Sequence, residues 1–150
     1  MRHNRGFSLV ELLVVIAVMA VLAGVMAPML IKYVNKARLS CDIDTGKEIA
    51  KAIMSVVAEE NIKDNAVEHS DPRAVAYMDG GDFKKAVLEF LSIDEVKGKS
   101  KKDVDGNIME NGSPQFYYTL DVSKNKVEIY YGGTTADYQV YPVTGEKLLK

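Results

Sequence analysis

The chain has one cysteine, Cys41, no tryptophan and only two histidines, His3 and His69, among 150 residues. A single cysteine cannot close a disulfide within the chain, so the domain must hold together by packing alone. Cysteine usage therefore does not identify the compartment. Two histidines leave few groups that titrate near neutral pH, and no constellation of nucleophile and base supports an enzyme. No cofactor is expected. Charge of one sign is lacking too: the formal net charge is −2. A nucleic-acid footprint would show a basic excess, so no direct nucleic-acid contact is expected. The length fits a single domain.

What is present is an uneven distribution of apolar residues, which make up 47% of the chain. A dense apolar block sits near the N-terminus, and the remainder reads as an ordinary soluble sequence. Residues 1–6 are Met-Arg-His-Asn-Arg-Gly, and residues 7–31 carry one charge, Glu11. A bilayer core of about 30 Å needs about 20 apolar residues as a helix, and this stretch is long enough. The basic start is also that of a secretory signal. The apolar run is too long for the usual signal core, and its small residues lie inside the run. A lipoprotein site fails because Leu22-Ala23-Gly24 is followed by Val25. Glu11 is the anomaly: a charged side chain in an apolar span costs about 2.5–3.5 kcal/mol on insertion scales.

The string Gly6-Phe7-Ser8-Leu9-Val10-Glu11 resembles the cleavage region of type IV prepilins and pseudopilins. That family pattern has a short basic leader ending in Gly, then Phe, a small or hydroxyl residue, two apolar residues and Glu. Leu12-Leu13-Val14-Val15-Ile16-Ala17 continues it. The resemblance covers residues 2–31; beyond them it rests on architecture. It implies that a prepilin peptidase cuts between Gly6 and Phe7 and then N-methylates Phe7. Losing Arg2 and Arg5 takes the formal charge from −2 to −4. Gly6, without a Cβ, leaves the backbone accessible. The resemblance also implies that Glu11 pairs with the terminal amine of a neighbouring subunit during assembly. Opposite charges attract strongly in a low-dielectric bundle, and each alone is costly there. A contact within the chain is the simpler alternative, since Phe7 and Glu11 are four apart on one helix face.

Loop charge does not orient the span. Arg2 and Arg5 favour a cytoplasmic N-terminus, but Lys32, Lys36 and Arg38 flank the other end. An exported C-terminal domain rests on the resemblance. Gly24 and Pro28 make one soft place in the helix: Pro28 lacks an N–H and crowds the Gly24 carbonyl, and Gly24 is a weak helix former. A kink is one reading; a segment that melts as subunits pack is the one the resemblance implies.

The helix is expected to continue past the membrane and to end between residues 61 and 65. Leu39, Ile43, Gly46, Ala50, Ile53, Met54 and Val57 recur at steps of three and four, and Ile49 and Val56 widen the stripe. Residues 63–82 read as a loop with a helical turn near residues 72–78. Phe83, Val87, Phe90 and Leu91 fit a short helix with Asp82 as N-cap. Residues 97–115 read as a loop or weak strand. Phe116, Tyr118, Leu120 and Val122 share one strand face, and Val127, Ile129 and Tyr131 share another across a turn at residues 123–126. Tyr138, Val140 and Pro142 mark a third strand, which Pro142 puts at an edge or an end.

Weaker signals read as ordinary structure. Asp103, Asp105, Asn107 and Glu110 lack the order of a calcium loop, and Asp105-Gly106 is a turn. No metal site is assigned. Asn111-Gly112-Ser113 matches a glycosylation sequon but precedes Pro114, so a turn is expected. Cys41 reads as a small buried residue beside the stripe, and the tyrosines of the C-terminal third as packing.

The expected fold is α+β and pilin-like. It has a leader at residues 1–6, a transmembrane or filament-core half-helix at 7–31, and a globular domain at 32–150 that includes the helix's second half on a small antiparallel sheet. The function the resemblance implies is a structural subunit of a type IV pilus. Its partners would be identical subunits in a helical filament, the membrane, prepilin peptidase, an assembly platform and its ATPase. A pseudopilin of a secretion or DNA-uptake machine shares the same signal. A monomeric membrane-tethered binding domain is the rival from another class.

Overall fold

The structure is a computed structural model that describes residues 7–59, 69–78, 81–103, 106–109 and 115–149. The chain divides into two compact units, Met1–Asn35 and Lys36–Lys150. Helix α1, Leu9–Ala58, runs through both for 50 residues.

In the first unit every described residue of α1 but Asn35 is exposed. Leu12, Ile16, Met19, Leu22, Met26 and Leu30 are all more than half exposed. A helix that is apolar on all sides is made for surroundings other than water, and α1 is long and apolar enough to cross a membrane.

In the second unit α1 becomes amphipathic. Leu39, Gly46, Ile49, Ala50, Ile53, Val56 and Val57 are buried as expected; Ala52 and Asp42 join them, while Ile43 and Met54 are only partly covered. α1 stops at Ala58, before the expected 61–65. The last stripe residue is Val57, and the Glu59 N–H turns to the Val56 carbonyl at 3.2 Å, the tightened bond usual where a helix ends.

The sheet has four strands in the order β1-β2-β3-β4, with all neighbours antiparallel: β1, His69–Ala74; β2, Phe116–Asp121; β3, Lys126–Tyr131; and β4, Gln139–Tyr141. Its inner face, Phe116, Tyr118, Leu120, Val127, Ile129, Tyr131 and Val140, forms one core with the α1 stripe. Gly46 is a point of close approach of helix to sheet: a Cβ there would sit 2.7 Å from Val140 Cγ1 and 3.4 Å from Phe116 Cε1. Val122 lies in the turn after β2 rather than in the strand, and Asn125 takes a positive φ of 51° there.

Strand β1 corrects the loop expected over residues 63–82. Pro72 is tolerated because β1 is the outer strand of the sheet, and the register shifts between His69 and Arg73 around it. The expected helical turn is a short 3-10 turn, Val75–Tyr77. Helix α2, Gly81–Leu91, begins one residue early, so Asp82 lies in its first turn rather than capping it. Phe83 and Val87 face the core, but Phe90 is 56% exposed. α2 ends with Ile93 N–H on the Leu88 carbonyl and Ser92 N–H on the Glu89 carbonyl. This is a Schellman closure, with Ser92 at φ 55° where glycine is usual.

Candidate functional site

The site the sequence points to is the start of α1. Gly6 lies outside the described residues. Phe7 is 84% exposed. Ser8 is the cap: its Oγ accepts the Val10 N–H at 3.3 Å, and its carbonyl accepts the Leu12 N–H at 3.2 Å. Glu11 Oε2 in turn accepts the Ser8 N–H at 3.1 Å. The pair resembles a capping box, with Ser8 Oγ on the Val10 rather than the Glu11 N–H, and satisfies two of the donors a helix start leaves open. Among the described residues Glu11 thus bonds to Ser8, three residues back. The Ser-x-x-Glu spacing ahead of an apolar run is a readable signal for this.

Gly24 and Pro28 lie farther along, with α1 continuous through both. Gly24 has open space where a side chain would be. Proline has no N–H to donate, so the Gly24 carbonyl lacks its usual partner four residues on.

A second polar cluster, which the sequence reading missed, lies in the globular unit. Asp42 is 1% exposed. Its carboxylate accepts the Lys99 N–H at 2.9 and 3.0 Å, the Ser100 N–H at 2.7 Å and the Tyr131 hydroxyl at 2.8 Å. A buried carboxylate survives when its acceptor sites are filled in this way. The bonds fasten the segment around Lys99 to α1 and β3. Burial, then the Asp42 hydrogen bond, pushes the Tyr131 hydroxyl well above its ordinary range. Cys41, expected to be buried, is half-buried, and Lys99 Nζ donates to its Sγ at 3.0 Å. That hydrogen bond is the largest cause raising the Lys99 ammonium pKa. The arrangement is a tether.

The remaining signals sort in the same way. Asp103 Oδ1 accepts the Asn107 N–H at 2.9 Å, and the Asp103 carbonyl accepts the Gly106 N–H at 3.1 Å, with Gly106 at φ 89°. This is turn geometry; Asp105, Glu110 and the 111–113 sequon lie outside the described residues. Tyr118 and Tyr131 are core, and Tyr130, pushed up to about 12 mainly by burial, bonds to Glu128 at 2.9 Å.

The fold and the start of α1 define a class: an α+β, pilin-like protein with a long apolar N-terminal helix packed by its second half on an antiparallel sheet. Residues 1–27 match the model of the prokaryotic N-terminal methylation motif, which supports a type IV prepilin or pseudopilin family. That motif implies processing by prepilin peptidase and assembly into pilus-type machinery. With the apolar helix, it fits a membrane-anchored precursor. Neither a curated protein nor a solved structure matches the chain.

Proposed function

We propose that the chain is the structural subunit of a type IV pilus. It is made as a prepilin, cut between Gly6 and Phe7, N-methylated on Phe7 and polymerised through its N-terminal helix into an extracellular filament. The observation that carries this reading is the methylation motif over residues 1–27, which leads into a helix apolar on every side. Such a surface is stable in lipid and, once subunits leave the membrane, against other copies of itself. Removing apolar area from water stabilises a bundle by about 25 cal/mol per Å². Glu11 then exchanges its Ser8 bond for the Phe7 amine of an adjacent subunit, which sets the axial register. The globular unit supplies the outer surface, and an assembly platform and its ATPase supply the work. A pseudopilin of a secretion or DNA-uptake machine uses the same chemistry at the same residues.

The test is to shear the cell surface with and without the gene, image the filaments and measure the subunit's N-terminus by mass spectrometry. N-methylated Phe7 in gene-dependent filaments is the expected result. A mature N-terminus beyond residue 20 would mean ordinary signal cleavage and end the proposal. Methylated Phe7 without surface filaments would turn it to the pseudopilin.

A further inference from the structure

We infer that Asp42 and the residues it holds form a clamp that keeps the sheet on α1 when the chain is pulled. This rests on the filament reading. In a subunit polymerised through residues 9–35, whatever holds the polymer acts on that stretch, and whatever touches its outside acts on the globular unit. A pull between the two passes along the chain into the globular unit at Lys36, where that unit begins. Leu39 and Asp42 are the first buried residues of α1 that it meets. Separation of the helix from the sheet therefore starts there.

The contacts at that end differ in kind from those farther along. Among the described residues, the hydrogen bonds that join α1 side chains to the rest of the unit are those of Cys41 and Asp42, and a long one from the Tyr141 hydroxyl to Met54 Sδ at 3.8 Å. Beyond Asp42 the buried stripe of α1 is apolar and shares one core with Phe116, Ile129 and Val140. Apolar packing is non-directional and gives way gradually. A hydrogen bond is lost after a stretch of about 1 Å, so it resists the first displacement and then fails at once. Asp42 is buried, so water is not at hand to take over its acceptor sites as they open. A dry, unpaired carboxylate is costly.

The far side of the clamp is itself anchored. Tyr131 is the last residue of β3 and pairs with Phe116 of β2. The next residue, Gly132, gives its N–H to the Gln115 carbonyl at 3.0 Å. Met109 packs where a Cβ on Gly132 would be. Met109 is buried, and its N–H returns to the Lys101 carbonyl at 3.1 Å. Ser100 Oγ donates to the Lys102 carbonyl at 2.9 Å. The segment that grips Asp42 is thus closed against the sheet, and a pull at Asp42 is shared by β2 and β3.

The experiment holds the full-length processed chain, in detergent, by tags at its two ends in an optical trap and records the lifetime of the globular unit at constant force. A denaturant jump gives the unfolding rate without load. Forced unfolding reads the unfolding rate along the pulled route. Asp42→Asn keeps the size and removes the charge. It should shorten the lifetime under load at least about tenfold more than it speeds unfolding without load, the size of a lost bond to a charged group. Tyr131→Phe removes one hydroxyl and should show the same imbalance, several-fold. Ile53→Ala, in the apolar stripe, should raise both rates by the same factor. Equal factors in the two rates for Asp42→Asn and Tyr131→Phe overturn the clamp and leave Asp42 a static contact. So does an Ile53→Ala chain that shows the imbalance of Asp42→Asn. Should Asp42→Asn not fold, Tyr131→Phe decides alone. A single chain is pulled, so a lack of filaments in cells would end the filament reading without altering this result.

Discussion

Residues 9–35 and 36–58 of α1 have the same backbone conformation and opposite surroundings. Ile16 is 57% exposed and Ile53 is fully buried, although both are isoleucines within one helix. The first stretch spreads apolar residues around the whole circumference, while the second confines them to a stripe and fills the rest with Lys47, Glu48, Lys51 and Ser55. Local helix propensity is therefore not what separates the two units. The chemistry each half is written to meet is what differs: the core of its own sheet for one, and surroundings other than water for the other.

The strongest test of that contrast is Glu11, the one acidic residue in the first stretch. Glu11→Gln keeps a capping acceptor and loses the charge; Glu11→Val loses both. Both chains should enter the membrane and be cut, and neither should appear in sheared-surface polymer, while immunoblots of membranes show processed subunit. Polymer from Glu11→Gln alone would mean that capping, not charge, is what assembly needs. Polymer from both would remove Glu11 from assembly.

Identical substitutions in the two halves should then diverge. Ile53→Ala removes buried side-chain volume at the helix–sheet contact and should cost about 2–5 kcal/mol. Ile16→Ala should leave the denaturation midpoint of the detergent-solubilised chain within about 0.5 kcal/mol of wild type. A comparable loss from both would show that residues 9–35 are packed in the isolated chain.

Titration should act on the globular half from two sides. Hydrogen bonds from Lys124, then Ser123, hold Asp121 below the ordinary carboxylate range, and the Lys126 hydrogen bond does the same for Glu128. A depressed carboxylate contributes stability above its unfolded pKa and loses it as pH falls below about 4. Tyr130 and Tyr131 are raised chiefly by burial; their contribution is complete below pH about 10 and is lost as pH rises beyond it. Thermal unfolding followed by near-ultraviolet circular dichroism should show a plateau between these limits. Glu128→Gln should flatten the acid arm. An acid arm as steep in that variant as in wild type would remove Glu128 from it.

The smallest effect lies at the end of α2. Ser92→Gly relieves a left-handed residue and should raise stability by up to about 1 kcal/mol, read as a shift in the urea midpoint. A loss instead would mean that the serine side chain contributes more than its backbone strain costs.

The features legible in the sequence were those with a strong period. The uncharged run, the stripe from Leu39 to Val57 and the β2–β3 hairpin all repeat with the spacing of their element, so each could be read without the others. Strand β1 could not. His-Ser-Asp-Pro-Arg-Ala is polar and carries a proline, and it is a strand only because β2 lies alongside it. Asp42 was hidden for a related reason. A carboxylate on a helix reads as solvated, and the partners that bury it are 57 and more residues away. At the candidate site the motif and its Glu11 were plain, while the pairing of Glu11 with Ser8 was readable and unread.

The two outer strands of the sheet bear on how such a chain is stored. An open strand edge is a template on which another chain can add, and proteins held close together blunt it. Strand β1 offers Pro72, which has no N–H to give. On β4 the Gln139 carbonyl is already taken by the Gly145 N–H at 2.8 Å, and the Lys147 N–H bonds to Asp137 just before the strand at 3.1 Å. Two copies of this sheet are thereby kept from adding to one another edge to edge.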